Sequence, residues 1–402
     1  MTIAIWWIRR DLRVHDNPAL LAAHRTGLPV LPVFILDPSL LALNAPSRQA
    51  FLFGGLMELG KAFAQQGARL VVRRGQPLQV LKKLVEESGA AVIYAEEDYS
   101  PYARSRDDEI ASQLPLRLVN GLSVHPPLAV HKPDGKPYTI FTPFSKAWKA
   151  LPLPSPLNLP LSEIKFASDP SIHSEPLPGL PYPPAFFPGE AEAERRLGDF
   201  LAGPVETYAE DRNRMDLPGT SMLSPYLRFG MLSPRQAVQS AMQSAGQSPG
   251  EARRGAEVFL NELIWREFYQ SIIYHFPHVL QGAFNPSLRN IPWRDAPAEL
   301  QAWQEGRTGY PVVDAAMRQL RSLGWMHNRA RMITASFLVK DLLINWQAGE
   351  RWFMRWLVDG DPASNNGGWQ WTAGTGTDAA PYFRVFNPVS QGRKFDPVGA
   401  YV

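Results

Sequence analysis

Short apolar runs punctuate the first hundred residues. Positions 3–8 (IAIWWI) and 30–36 (VLPVFIL) are continuous apolar stretches, and 69–72 and 91–94 are shorter β-rich ones, all of a length that suits buried strands. Between them, 48–66 and 78–87 repeat apolar residues at helical spacing. Strand and helix alternating in this way predict a doubly wound parallel sheet, with ligands favoured at the carboxyl ends of its strands. The pattern changes at 151–190, where LPLPSPLNLP and PLPGLPYPPAFFP carry too much proline for a helix or a central strand. Beyond residue 190 the strand signals vanish and helical periods take over, at 255–275, 311–323 and 329–346. The expected organisation is an α/β domain over 1–130, a proline-rich linker over 131–190 and an all-α domain over 191–402. A chain of 402 residues is too long for one ordinary core, which agrees with that division.

Composition narrows the classes. Apolar residues make up 45% and charged residues 20%, the balance of a soluble globular protein. No apolar run approaches the roughly 20 residues that span a bilayer. The start, MTIAIWWIRRDLR, opens on a strand and lacks the features of a secretory signal, so the expected compartment is the cytoplasm, with no membrane partner. There is no cysteine, which removes disulfides, thiolate metal sites and cysteine nucleophiles. The eight histidines are scattered, and the closest pair, His275 and His278, has no third ligand nearby, so no metal is expected. The net charge of +3 is spread evenly over both halves, so any face for a polyanion must be assembled by folding.

Four segments carry candidate chemistry. No G-x-G-x-x-G occurs, so the usual dinucleotide fingerprint is absent. Residues 219–225 (GTSMLSP) offer three hydroxyls ahead of a helical stretch, which reads either as an ordinary helix cap or as a phosphate site. In 261–269 (NELIWREFY), helical spacing puts Glu262, Trp265, Arg266 and Tyr269 on one face. That face is either an ion pair beside a packed aromatic or a cavity wall that stacks on flat rings and bonds their edges. Residues 324–331 (GWMHNRAR) and 359–371 (DGDPASNNGGWQW) are dense in polar and aromatic groups. Asp359 and Asp361 lack the further ligands of a calcium loop, and Arg331 is an available partner for a buried carboxylate. Most of the 12 tryptophans lie beyond residue 250.

Together with TGYPVVDAAMRQL, GWMHNRARMITASFLVKDLL and IAIWWIRRDLRVHDN, these segments resemble the cryptochrome/photolyase family over essentially the whole chain, and most resemble its bacterial-type (class I) cyclobutane pyrimidine dimer photolyases. The resemblance implies FAD held in the helical domain, fully reduced (FADH−) in its working state. The matching positions are Tyr208, the loop Thr220, Ser221, Met222, Leu223 and Ser224 at the pyrophosphate, Arg266, Trp325, Arg331, Asp359 and Asp361, with Asn365 facing flavin N5. An Arg331–Asp359 ion pair is implied. It further implies UV-damaged DNA as partner, with the dimer flipped into a pocket. There Glu262 would bond the pyrimidine edge, Trp265 and Trp371 would flank the rings, and Asn328 and Met332 would complete the site. Arg212, Tyr269, Arg329, Arg384 and Gln391 match DNA-contacting positions, and Trp369, Trp346 and Trp293 match a tryptophan chain that rereduces the flavin.

The family's variants sharpen these expectations. An amide at Asn365, where plant-type cryptochromes have an acid and animal-type ones a cysteine, favours repair over blue-light signalling, the alternative reading. Met332 stands where (6-4) photolyases carry histidine. Folate-binding members have a Glu near Ala103 and a Lys near Leu280–Gln281; both are missing, so a second, antenna chromophore is expected to be a deazaflavin or a flavin rather than folate. The chain stops at Val402, where relatives continue, so the helical domain is expected to lack its last helices. A monomer is expected.

Overall fold

The computed structural model describes residues 2–183, 185–381 and 384–402. Five parallel strands form one sheet: β1 (Ile3–Ile8), β2 (Val30–Leu36), β3 (Val71–Arg74), β4 (Ala90–Glu96) and β5 (Leu116–Val119), in the order β3-β2-β1-β4-β5. Alternate residues of β1 explain why its whole length is apolar. Ala4, Trp6 and Ile8 join one core and Ile3, Ile5 and Trp7 another, because helices cover both faces of a parallel sheet. The first two strands match their predicted limits. β5 was not predicted, since LRLV is four residues long, too short for its alternation to stand out.

The core on the Trp6 face does not end at the sheet. It continues through Phe51 and Tyr226 to Phe259, Ile264 and Phe268 of the helical half. Buried ion pairs cross the same boundary. Asp16 meets Arg235 at 2.7 Å and also accepts from Ser233, while the Leu12 N–H donates to Phe229 O at 3.1 Å. Arg48, on the helix Pro46–Ala64, donates to the carbonyls of Met354 and Leu357.

The predicted linker is less uniform than expected. A ten-residue helix, Phe141–Ala150, lies inside it, held by Phe144 and Trp148 buried at i, i+4. From 151 to 189 the described chain carries only a short 3-10 turn, Leu161–Glu163, as the prolines require. The helical half is organised on the 26-residue helix Gly250–His275, roughly 39 Å long at 1.5 Å per residue. At Gly255 it packs against the loop that carries Val205, where a Cβ would sit 1.9 Å from Val205 O.

One predicted helix, 329–346, is broken. Asn328–Ser336 passes into a π turn, Phe337–Asp341, and ends near Leu343, whose φ is +56°. A new helix, Trp346–Trp356, begins where the Asn345 side chain accepts from Gln347 N. The apolar period runs through this break, so spacing alone conceals it. The helix Pro362–Ala373 follows. Asp361 caps it by accepting from Ala363 N and Ser364 N, and Gly374 (φ +80°) ends it.

Candidate functional site

These helices enclose a cavity of about 470 Å³ in the helical half. The carboxyl end of the sheet, by contrast, is crowded with its own side chains: Arg9 and Arg106 both pair with Asp107 and lie 4.8 Å over Trp7.

One wall is the 26-residue helix, whose Glu262, Trp265, Arg266 and Tyr269 all line the cavity. Glu262 pairs with Arg212 at 2.7 Å. Burial raises the Glu262 pKa and Arg212 opposes the rise. Trp265 is stacked on Phe141, with centroids 3.7 Å apart and planes within 7°, and Phe141 N donates to Asp378 at 3.0 Å. Tyr269 is wedged against Gly367, where a Cβ would lie 2.1 Å from the ring. Tyr208 lines the same wall, and burial raises the pKa of both phenols.

A second wall comes from Asn328, Arg331 and Met332. The expected ion pair is present: Arg331 Nη2 reaches Asp359 Oδ2 at 2.8 Å, and the same oxygen accepts from Ser224 Oγ at 2.6 Å. Asp359 Oδ1 is buried without a partner. Beneath this wall His327 accepts from Arg329 N. Burial, then Arg331, Arg329 and Arg212, lower its pKa to about 4 and keep it neutral.

The third wall is the helix Pro362–Ala373, which contributes Asn365, Trp369 and Trp371. Asn365 Nδ2 donates to Glu350 O at 3.1 Å, which leaves its amide oxygen as the acceptor available to the cavity. Trp369 packs on Phe353 (4.9 Å) and Trp303 (6.1 Å). Trp346 is buried in the same cluster and Trp293 lies half-buried at its edge, neither on the cavity lining.

The floor is cationic. Arg228, Arg266 and Arg331 line it with Asp359 and Asp361, while Arg10, Arg48 and Asp98 lie behind them, off the lining; the guanidiniums outnumber the carboxylates even when Glu267, behind Arg266, is counted. Burial, then the nearby Arg10, pushes Arg228 down to about 9; burial brings Arg48 to about 10 and lowers Arg266. Burial alone would raise Asp361, but Arg10, Arg228 and Arg266 outweigh it and its pKa falls. Arg228 Nη1 is buried without a partner. A low-dielectric site with surplus positive charge and an open N–H calls for an anionic ligand.

Other predicted residues fall differently. Ser221, Leu223 and Ser224 line the cavity; Thr220 and Met222 do not, and Met222 (φ +50°) makes the turn between the two serines. The helix after this loop, Ser224–Arg228, has five residues, too few for a useful dipole, so hydroxyls and backbone rather than a helix terminus face the cavity. Trp325 is buried between Phe186 and His327, off the lining. Arg329 bonds Asn213 and lies 4.4 Å over Phe395, and Arg384 lies 5.8 Å over Trp371. Burial, then Arg212 and Arg384, lower the Arg329 pKa, so three arginines share one face beside the cavity. Gln391 sits on the neighbouring helix Pro388–Phe395. His15, Glu190 and Glu194 bring ligand atoms within 4.8 Å of one another, but Glu190 is engaged by the N–H groups of Val14 and His15.

Arg10, Arg48 and Arg228 were not predicted, because nothing local marks an arginine as part of a floor built from distant segments. Phe141 was missed because the proline-rich surroundings hide its helix.

Residues 4–160 match the family described as DNA photolyase, and residues 259–402 match the FAD binding domain of DNA photolyase. The deoxyribodipyrimidine photo-lyase of Escherichia coli is 43% identical over 421 residues, covering 100% of this chain and 88% of that protein. The crystal structure of a bacterial class III photolyase from Agrobacterium tumefaciens superposes with a TM-score of 0.93 at 38% identity, covering 100% of this chain and 86% of that one. An archaeal photolyase from Sulfolobus tokodaii, described with two FAD molecules, gives 0.87 at 33% identity, covering 100% and 89%.

Proposed function

The chain belongs to the DNA photolyase family, and from that premise we propose that it repairs cyclobutane pyrimidine dimers in DNA by light-driven electron transfer from reduced FAD. The observation that carries this reading is the cavity's division of labour: a floor with surplus guanidinium charge and a rim of Trp265, Trp371, Glu262 and three arginines. The first suits a dinucleotide's pyrophosphate, the second a flipped pyrimidine dimer on a phosphate backbone.

The residues fit FAD. The unpartnered Arg228 N–H and the lowered guanidinium pKa values call for an anion, and Tyr208, Ser221, Leu223, Ser224, Arg266, Arg331, Asp359 and Asp361 surround that space. Thr220, Met222 and Trp325 would support the site from behind. The chemistry supplied by bound, reduced FAD is one-electron donation to the dimer under blue light, with return of the electron once the cyclobutane bonds have opened. Asn365 presents an amide oxygen, an acceptor that favours a flavin carrying a proton at N5, as the reduced form does. Glu262 and Asn328 would hold the pyrimidine edges, and Trp265 and Trp371 the ring faces, with Met332 filling the remaining wall. Arg212, Arg329 and Arg384, with Tyr269 and Gln391, would hold the flanking strand, giving binding that weakens with salt. Trp369, Trp346 and Trp293 would relay electrons to the flavin from the surface.

The division into 1–130, 131–190 and 191–402 accompanies this reading, as does a monomer acting in the cytoplasm. No helix of the described residues is long and apolar enough to cross a membrane. For a second chromophore we favour a deazaflavin or a flavin over folate, on the residues at Ala103 and Leu280–Gln281.

The test is dimer loss from a thymine-dimer oligonucleotide under blue light, with reduced FAD and a dark control. Light-dependent loss is expected. Protein that holds reducible FAD yet leaves the dimer intact in the light would overturn the proposal.

A further inference from the structure

We infer that Arg10, at the end of β1 in the α/β half, is a positioning residue for the flavin-side helix that carries Asn365. The inference rests on the cavity being the FAD site.

Three contacts fix the Arg10 side chain, which is 15% exposed. Nη2 donates to Asp361 Oδ2 at 2.7 Å, Nη1 to Asp98 Oδ2 at 3.4 Å, and Nε to Arg228 O at 3.2 Å. Asp361 divides its groups between two tasks. Oδ2 is taken by Arg10, while Oδ1 caps the helix Pro362–Ala373 through Ala363 N (3.0 Å) and Ser364 N (3.1 Å). Its backbone carbonyl accepts from the N–H of Asn365 itself at 2.9 Å. The orientation of Asp361 is therefore transmitted directly to Asn365, and Arg10 is the cation that sets it. Without Arg10 the nearest replacement is Arg228, whose Nε is now 3.7 Å from the same oxygen and lies on another side of the floor. Asp361 would turn toward it, and the first turn of the helix would follow.

The backbone around Arg10 is held independently of its side chain. Leu12 N donates to Phe229 O at 3.1 Å, and Gly230, at φ +62°, packs so closely that a Cβ would be 2.0 Å from Arg10 O. Truncating the side chain thus leaves the two halves docked and removes the bridge to Asp361 together with the longer bonds to Asp98 and the Arg228 carbonyl. A lysine keeps the charge but cannot span three acceptors with a planar fork.

The experiment uses purified flavin-loaded protein. It measures flavin release on dilution and the rate of air oxidation of bound reduced flavin in the dark, with affinity for undamaged DNA as the third readout. Arg10→Met is expected to raise release and oxidation about ten-fold, the scale of one lost charge-assisted contact, and to leave DNA affinity unchanged. Arg10→Lys should fall between it and the unaltered protein, and serves as the test if the Met variant does not fold. Arg235→Met removes a still more deeply buried pair across the same boundary without touching Asp361. Equal flavin effects in Arg235→Met and Arg10→Met would overturn the inference, since Arg10 would then only join the halves. Unaltered release and oxidation in both Arg10 variants would overturn it too. If the unaltered protein binds no FAD, the functional proposal fails instead, and these readouts separate the two failures.

Discussion

The two halves of the molecule bury arginine for opposite ends. In the α/β half, buried guanidiniums sit directly on carboxylates: Arg9 is 2.6 Å from Asp107, and Arg13 is 2.6 Å from Glu96. Around the cavity of the helical half, Arg228 comes no closer than 3.7 Å to Asp361, and Arg48, reaching across from the α/β half, bonds only carbonyls. Burial lowers both of the latter pKa values, while Arg13 keeps a raised one, because Glu96, Asp11 and Asp16 outweigh the burial that would lower it. A closed ion pair away from the cavity is structural, whereas a cation left short of its counter-charge is what a ligand completes; Arg331, closed on Asp359 at 2.8 Å but on the cavity lining, belongs to both classes.

The most severe way to probe that contrast is Arg331→Met. It strands Asp359, one oxygen of which is already unpartnered, at about 3–5 kcal/mol for a broken buried pair. The variant should emerge from gel filtration without its 450 nm flavin band. Asp16→Ala attacks the other class. It removes the partner of Arg235 and an acceptor for Ser233, so thermal denaturation should show a loss of about 3 kcal/mol while flavin per chain is unchanged. Loss of flavin from Asp16→Ala would erase the distinction. Next is Arg384→Ala at the rim. It should weaken binding to damaged and undamaged DNA alike and lower the slope of log K against log salt by about one, read by anisotropy titrations.

The smallest effect concerns a carboxylate whose pKa is governed by burial. Glu350 is raised to about 7 by burial, against the opposing bond from Asn366 at 2.9 Å and the charge of Arg351. A carboxyl raised on folding destabilises the fold wherever it must ionise. The penalty is absent below about 4.5, grows between 4.5 and 7, and is complete above 7. Glu350→Gln keeps an acceptor for Asn366, so it should stabilise the protein by about 1–2 kcal/mol at pH 8 and by nothing at pH 4, in urea melts at both values.

Much of the fold was legible where the physics is local. β1 and β2 are continuous apolar runs because both their faces are buried, and no competing pattern fits them. Glu262, Trp265, Arg266 and Tyr269 could be placed on one face because 3.6-residue periodicity is a property of nine consecutive residues. Where the structure depends on distant partners the sequence was silent. Arg10 and Asp361 are 351 positions apart, and neither neighbourhood announces the other. The break at Leu343 is a backbone conformation that side-chain spacing does not record. Loop 219–225 was read as a helix terminus, and its follower turned out to be a single turn. The part assigned to Asn365 came from the family resemblance alone, since no pattern of amides near glycines specifies a flavin.

The core that runs from Trp6 and Phe51 through Tyr226 to Phe259 and Phe268 has a consequence for modularity. Each half keeps an apolar cluster of its own, but this one is shared, so cutting the chain in the proline-rich stretch would expose an oily face on both fragments. The halves should therefore melt together in a single calorimetric transition, and the helical half expressed alone should aggregate. The α/β half cannot be dispensed with: it is also the lid on the other half's core.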